Sequence, residues 1–248
     1  MSGEPVQLIE CLKVYLEEMR DSGVDALPIS GDAYPEGKMD ASCGNGDEIP
    51  IMETLEAIRG ELGECLRCDL GRSRTNLVFG VGNPHARIVF VGEAPGRDED
   101  LKGEPFVGEA GQILTRLITR MGFTRDVVYI CNVLKCRPPN NRDPHTEEIE
   151  KCGPFMLRQV KAIGPEVIVA LGAFAAHTLL QTTVPISKLR GKFHDYHGIP
   201  LMPTYHPSFL LRNRGNNKVY WTVWEDMKQV LMKLNMPVPE VKRQGEKA

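Results

Sequence analysis

The sequence predicts an α/β protein of three layers, α/β/α, built on a central and mainly parallel sheet of four strands. Three observations predict it. Apolar, β-branched runs at 87–91, 127–133, 167–171 and 199–202 each have the length of a strand buried on both faces. Helical periodicity at 110–121, 146–163 and 173–181 alternates with those runs, the order that builds crossovers over a parallel sheet. With 248 residues and 42% hydrophobic content, the chain can bury one substantial core and carry an appendage.

The appendage comes first. Val6, Ile9, Leu12, Leu16 and Met19 fall at near-helical spacing, so residues 1–20 are expected to form an amphipathic helix that docks on its own domain or on a protein partner. Residues 21–50 are rich in Gly, Asp, Pro and Ser and read as a flexible acidic linker. The globular domain is expected over 51–235: a helix at 51–62 leads into Cys65, and a last helix runs from near Lys218 to Leu231. Residues 236–248 read as a tail. No apolar run approaches the roughly 20 residues that span a bilayer, and the start lacks a secretory signal. Seven cysteines, an odd number, suit a reducing cytoplasm better than a disulfide framework.

The formal net charge of -3 hides a division. Residues 1–64 hold fifteen acidic side chains against Lys13, Arg20, Lys38 and Arg59, whereas 65–248 hold eighteen acidic and twenty-six basic ones. A basic domain suits a polyanion such as nucleic acid, through phosphate contacts and counterion release. A solvated mixed surface accounts for the count equally well.

Ligands of an open α/β sheet gather beyond the carboxyl ends of its strands. The first strand runs into Gly92-Glu93-Ala94-Pro95-Gly96 and then Asp98, Glu99 and Asp100. Gly92 and Gly96 let a ligand approach the backbone, and Pro95 stiffens the bend. Glu93 and Glu99 are candidates for general base, acceptor or steric gate, while Asp98 and Asp100 read as solvated. Phe106, among glycines ahead of a helix, is either a core plug or a floor on which a planar base stacks. Asn132, ending the second strand, either satisfies backbone groups or offers a donor and an acceptor to the polar edge of a pyrimidine.

Beyond Asn132 lie Arg137, Asn141 and Arg142, and after the third strand come only Gly172 and a helix. His206, at the fourth strand end, is structural or else opens a working segment: Phe209, Leu210 and Leu211 as apolar wedges, then Arg212, Arg214 and Lys218. That composition suits probing a duplex and holding phosphates. Lys188 and Arg190 form another loop suited to phosphate.

Four cysteines bracket the first two strand ends: the pair Cys65 and Cys68, then Cys136 and Cys152 with fifteen residues between them. Four thiolates can hold one zinc or anchor an iron–sulfur cluster, and spacing leaves both open. The neighbours Arg67, Lys135, Arg137 and Lys151 suit the net negative charge of a cluster. Cys131 reads as core; Cys11 and Cys43 read as incidental.

Several linked motifs resemble the family 4 uracil-DNA glycosylases, which carry a [4Fe–4S] cluster. These are Cys65-Leu-Arg-Cys68, Val78-Phe-Gly-Val-Gly82, Gly92-Glu-Ala-Pro-Gly96, Pro105-Phe-Val-Gly108, Asn132-Val-Leu-Lys-Cys136-Arg-Pro-Pro139, Cys152 and Pro203-Thr-Tyr-His-Pro207. The resemblance runs from about Cys65 to the last helix and leaves residues 1–50 outside. It implies that Cys65, Cys68, Cys136 and Cys152 hold the cluster. Glu93, Ala94 and Pro95 would line the uracil pocket with Asn141, Phe106 would stack on the base, Asn132 would read its edge and His206 would hydrogen-bond O2. Related family 1 enzymes have a water-activating Asp in place of Ala94 and a thymine-excluding Tyr in place of Gly96. Their absence leaves Glu93 and Glu99 as candidates to activate water, with Glu99 bordering C5 of the base. The His-bearing insertion of covalently trapping relatives is missing, so turnover is expected.

The implied function is a monofunctional uracil-DNA glycosylase acting on single- or double-stranded DNA, monomeric, in a bacterial or archaeal cytoplasm. Arg137, Arg142, Lys188, Arg190, Leu210, Arg212 and Arg214 are its candidate DNA contacts. A non-enzymatic DNA-binding or polymerase-associated iron–sulfur protein is the alternative, and an electron-transfer module a third reading.

Overall fold

The computed structural model describes residues 53–213 and 217–240. The helix expected at 1–20, the linker at 21–50, the last eight residues of the tail and Arg214 lie outside the described residues. In chain order the elements are α1 (Leu55–Leu62), α2 (Leu70–Ser73), β1 (Val81–Gly82), β2 (Ile88–Gly92), α3 (Arg97–Lys102), α4 (Glu109–Arg120) and β3 (Tyr129–Asn132). A 3-10 turn (Pro139–Asn141), α5 (Thr146–Ile163), β4 (Val167–Leu171), α6 (Gly172–Leu180) and α7 (Ile186–Leu189) follow. The chain then forms β5 (His194–Tyr196), β6 (Ile199–Thr204), α8 (Pro207–Arg212) and α9 (Asn217–Lys233).

The four expected strands are β2, β3, β4 and β6, adjacent in the order β3-β2-β4-β6 and all parallel. The sheet is wider than the expected four: β1 and β5 add short antiparallel edges beside β3 and β6, making six. Strands of two and three residues are too short to show a period in sequence, and the edges come from pairing alone.

Burial on both faces explains the continuous apolar runs. Along β2, Val89 and Val91 face one core with Met156 and Val160 of α5 and Ala175 and Leu179 of α6. Ile88 and Phe90 face the other with Leu114 and Ile118 of α4 and Trp224, Met227 and Leu231 of α9. The period of two thus divides one apolar strand between two helical layers. A smaller cluster of Ile58, Leu62, Leu77 and Phe155 seats α1 against α5, and Arg158 of α5 pairs with both Glu53 and Glu61.

The chain leaves β2 for β3 on one side and leaves β4 for β6 on the other, so the topological switch point lies between the adjacent strands β2 and β4. Register pairs Gly92 with Asn132 and Leu171 with Thr204, which puts the four carboxyl ends level. An open α/β sheet binds its ligands in that crevice.

One buried ion pair fastens the β6 end of the crevice to α9. Asp226 is 0% exposed and accepts from the Thr204 hydroxyl at 2.5 Å and from Arg190, whose guanidinium also donates to the Thr222 carbonyl at 2.7 Å. Removing the cation strands a buried carboxylate. Arg190→Ala is therefore expected to lower stability by about 3 kcal/mol, read as a lower urea midpoint with an unchanged slope.

Candidate active site

A cavity of about 720 Å³ opens at the carboxyl ends of the four parallel strands. Its floor depends on a missing side chain. A Cβ at Gly92 would fall on Asn132 Oδ1 and come within 2.6 Å of Phe106 Cζ, so only glycine lets the amide and the ring meet there. Asn132 is 2% exposed, and its Oδ1 is buried with no hydrogen-bond partner. A native structure rarely leaves an amide oxygen so, and the cavity is where its partner would arrive.

Phe106 is 6% exposed and its ring lies 5.7 Å from that of His206, tilted by 36°. Its backbone is left-handed at φ 54, a strained state for an aromatic residue that its surroundings must hold. Glu99 supplies the hold. One carboxylate oxygen accepts from the Val107 and Gly108 amides, both at 2.9 Å, and the other from Gly96 at 3.1 Å. Arg125 completes it from the other side, donating to the Pro105 carbonyl at 2.8 Å.

Two carboxylates on one turn thus have different work. Of the roles expected for Glu99 (general base, acceptor or steric gate), the structure shows the acceptor: its oxygens clamp the 92–96 turn to the loop carrying Phe106. Glu93 also lines the cavity, and among the described residues no group donates to its carboxylate. Burial, with help from the Asp143 charge, raises its pKa to about 7.

His206 caps α8: its Nδ1 accepts from the Ser208 amide at 3.1 Å. A backbone N–H can only donate, so the ring proton of the neutral imidazole resides on Nε2. Burial, aided by the charge of Arg212, lowers the His206 pKa to about 4. The ring is therefore a neutral donor at ordinary pH. Gly172, in the left-handed region at φ 94, lets it sit close: a Cβ there would come within 2.9 Å of His206 Cβ.

The third strand end contributes more than expected, because Gly172, Phe174 and His177 join Asp143 in the cavity wall. The only signal for them was a glycine between a strand and a helix. Ala94, Pro95 and Asn141 line the cavity, as do Arg142 and Arg212, which were expected as DNA contacts, and two of the five are partly engaged. Asn141 Oδ1 accepts from Arg137 at 2.8 Å, and Arg142 forms two hydrogen bonds to Glu148 at 3.0 and 2.6 Å.

Three expectations about the surface are corrected. Arg190 pairs with buried Asp226 and does not present its guanidinium to a ligand. Leu210 is 6% exposed and packs in the core, whereas the next residue, Leu211, is partly exposed. Asp100 is buried and accepts from the Thr75 and Asn76 amides at 2.9 and 3.4 Å. Lys188 and Arg212 are exposed.

The four cysteines line one small recess, walled by Leu62, Leu77 and Phe155. Donors surround the sulfurs: Arg67 to Cys65 at 3.4 Å, Arg74 to Cys136 at 3.6 Å, and the Lys135 amide to Cys152 at 3.3 Å. Arg74 escaped the sequence reading, since nothing local ties it to a cysteine 62 positions away. Burial pushes the Cys136 thiol up to about 11 and raises Cys152 as well. Such thiols ionise only when a metal takes the proton's place. Among the described residues no group of three His, Cys, Asp or Glu side chains stands close enough together to hold a metal ion as they are placed. Four sulfurs lining one recess suit either a single zinc or an iron–sulfur cluster.

Residues 79–228 match the profile of the Uracil DNA glycosylase superfamily, which sets the class. The chain is 53% identical over 169 residues to the type-4 uracil-DNA glycosylase of Archaeoglobus fulgidus, covering 64% of this chain and 84% of that one. Identity to the type-4 enzyme of Thermotoga maritima is 51% over 166 residues, 66% of this chain and 86% of the relative. For that of Saccharolobus solfataricus it is 42% over 189 residues, 73% and 88%. The chain belongs to the uracil-DNA glycosylase superfamily and, within it, to the type-4 branch.

The clamp can be tested without reference to activity. Glu99→Gln turns an accepting oxygen into a donor facing backbone amides. It is expected to cost about 1–3 kcal/mol of stability in urea unfolding.

Proposed function

We propose that this chain is a uracil-DNA glycosylase that flips uracil out of DNA, hydrolyses its N-glycosidic bond and leaves an abasic site for repair. The buried, unpartnered Oδ1 of Asn132 is the observation that carries this reading. Asn132 lines the same cavity as Phe106 and His206. A flipped uracil stacks on Phe106 and gives its N3–H to Asn132 Oδ1, while the amide nitrogen donates to O4. Cytosine offers an acceptor at N3 and a donor at the 4-position, so the same amide meets both groups with the wrong polarity. Flipping costs a few kcal/mol, which these contacts offset.

Cleavage breaks the bond between C1′ and N1, and the bonding pair leaves with uracil as an anion. The developing charge on O2 faces the neutral Nε2–H of His206, where one aimed donor is worth roughly 3 kcal/mol. Water adds to C1′ and gives its proton to Glu93, whose raised pKa suits a general base near neutrality. The Glu99 clamp supports giving this role to Glu93. No lysine lines the cavity among the described residues, so strand scission is not expected.

Cys65, Cys68, Cys136 and Cys152 would hold a [4Fe–4S] cluster. When bound it supplies a cross-link that fixes the loop 136–152, and hydrolysis requires no electron transfer. Among the described candidates Lys188, Arg212 and Arg137 would meet phosphates, Arg214 stays a candidate outside the described residues, and Leu211 would take the place of Leu210 as the wedge. The glycosylase domain would span 51–235, and a protein partner for the helix at 1–20 remains part of the proposal.

The test is incubation with single- and double-stranded DNA containing uracil, followed by alkali to reveal abasic sites; DNA left unchanged across a range of salt overturns the reading. In the same assay Asn132→Ala is expected to abolish most turnover while the protein keeps the brown colour of its cluster. The pH profile is a separate check. Glu93 works ionised, so kcat/KM should rise with pH through about 7 and level off, and Glu93→Gln should lower kcat and remove that limb. His206, lowered to about 4, stays neutral across this range and adds no limb of its own.

A further inference from the structure

Asn132 and the cysteine recess are joined by one buried lysine. Lys135 is 1% exposed, three positions after Asn132 and one before Cys136. Its Nζ donates to the backbone carbonyl of Asn132 at 2.7 Å. Its own amide points at Cys152 Sγ at 3.3 Å, and its carbonyl accepts from the Val78 amide at 2.8 Å. One residue therefore touches both the recess and the peptide that carries the base-reading amide.

The charge asks for an explanation. An ammonium removed from water needs an opposite charge nearby, yet among the described residues its one hydrogen-bond partner is a neutral carbonyl. The groups beside it able to carry negative charge are the sulfurs of Cys131, Cys152 and Cys136, of which the last two line the same recess as Lys135. A lysine that served only to fill the core could be exchanged for methionine with little loss, because an apolar side chain of that volume packs equally well.

We propose that Lys135 is a positioning residue that couples the four-cysteine site to base recognition. The thiolates and their cluster hold the ammonium, and the ammonium holds the Asn132 peptide so that Oδ1 faces the cavity. This rests on the reading of Asn132 as the uracil contact and of the four cysteines as cluster ligands. Lys135 touches no substrate and takes no part in bond cleavage.

The test compares binding of two duplexes by the full chain with its cluster. One duplex carries 2′-fluoro-2′-deoxyuridine, whose glycosidic bond resists hydrolysis; the other carries thymidine at that position. Lys135→Met, with iron content and visible absorption matching the native protein, is expected to bind the thymidine duplex unchanged and to lose about tenfold or more of the preference for uracil. Native protein stripped of iron by a chelator, with its far-ultraviolet circular dichroism intact, should lose the same preference. Stripping Lys135→Met should cost it no more. A fully loaded Lys135→Met that keeps the native preference overturns the coupling. If that variant fails to fold or to hold iron, a stripped native protein that keeps its preference overturns it instead. A native protein with no preference for uracil would overturn the base reading beneath it, a distinct result.

Discussion

A buried amide oxygen without a hydrogen-bond partner is costly, by about 1–3 kcal/mol, and the architecture around Asn132 keeps one in place. Parallel pairing sets Asn132 beside Gly92 at the same level of the sheet. The bare Cα of Gly92 leaves the space that the amide and the Phe106 ring occupy. Lys135 grips the peptide from behind. On the proposed reading, a base that supplies an N–H to this oxygen recovers what the fold gave up, and one that supplies a lone pair does not. On that reading, specificity rests on a buried polar group that only the correct ligand satisfies.

The carboxylates show the same economy of position. Glu93 and Glu99 stand six residues apart, and their environments separate them. Glu99 is saturated by three backbone amides and holds Phe106 in a conformation that a free loop would abandon. Burial partly desolvates Glu93, and among the described residues no group donates to its carboxylate, so its proton is held up to about pH 7. His206 is displaced the opposite way by the same desolvation, since burial disfavours the charged form of either group. One cavity thus holds a neutral imidazole and a carboxyl group with a pKa near 7, the pair that the proposed departure of an anion and arrival of water would use.

Basic residues divide between scaffold and surface. Arg190 and Arg142 are paired with carboxylates, and Arg74 and Arg67 turn toward sulfur. Counting charges in sequence credits all of them to a polyanion-binding face. The structure leaves a smaller set, including Lys188 and Arg212, at the surface.

The sequence by itself determined the four parallel strands, the long helices and the presence of Asn132, His206 and the glutamate turn at strand ends. Those features are written in local periodicity, and the rule that ligands collect at carboxyl ends follows from strand direction. It also determined the four cysteines, whose type is rare enough to be legible one residue at a time. Tertiary structure alone decided which glutamate clamps and which stays unengaged, that Leu210 is core, and that Gly172 supports His206. It also decided that Arg190 belongs to Asp226, 36 positions away. Each of these depends on contacts between segments distant in the chain, where a side chain's partner is set by packing and leaves no trace in its neighbours. The edge strands β1 and β5 are the same case in backbone form: too short to carry a pattern, they exist because a longer strand lies beside them.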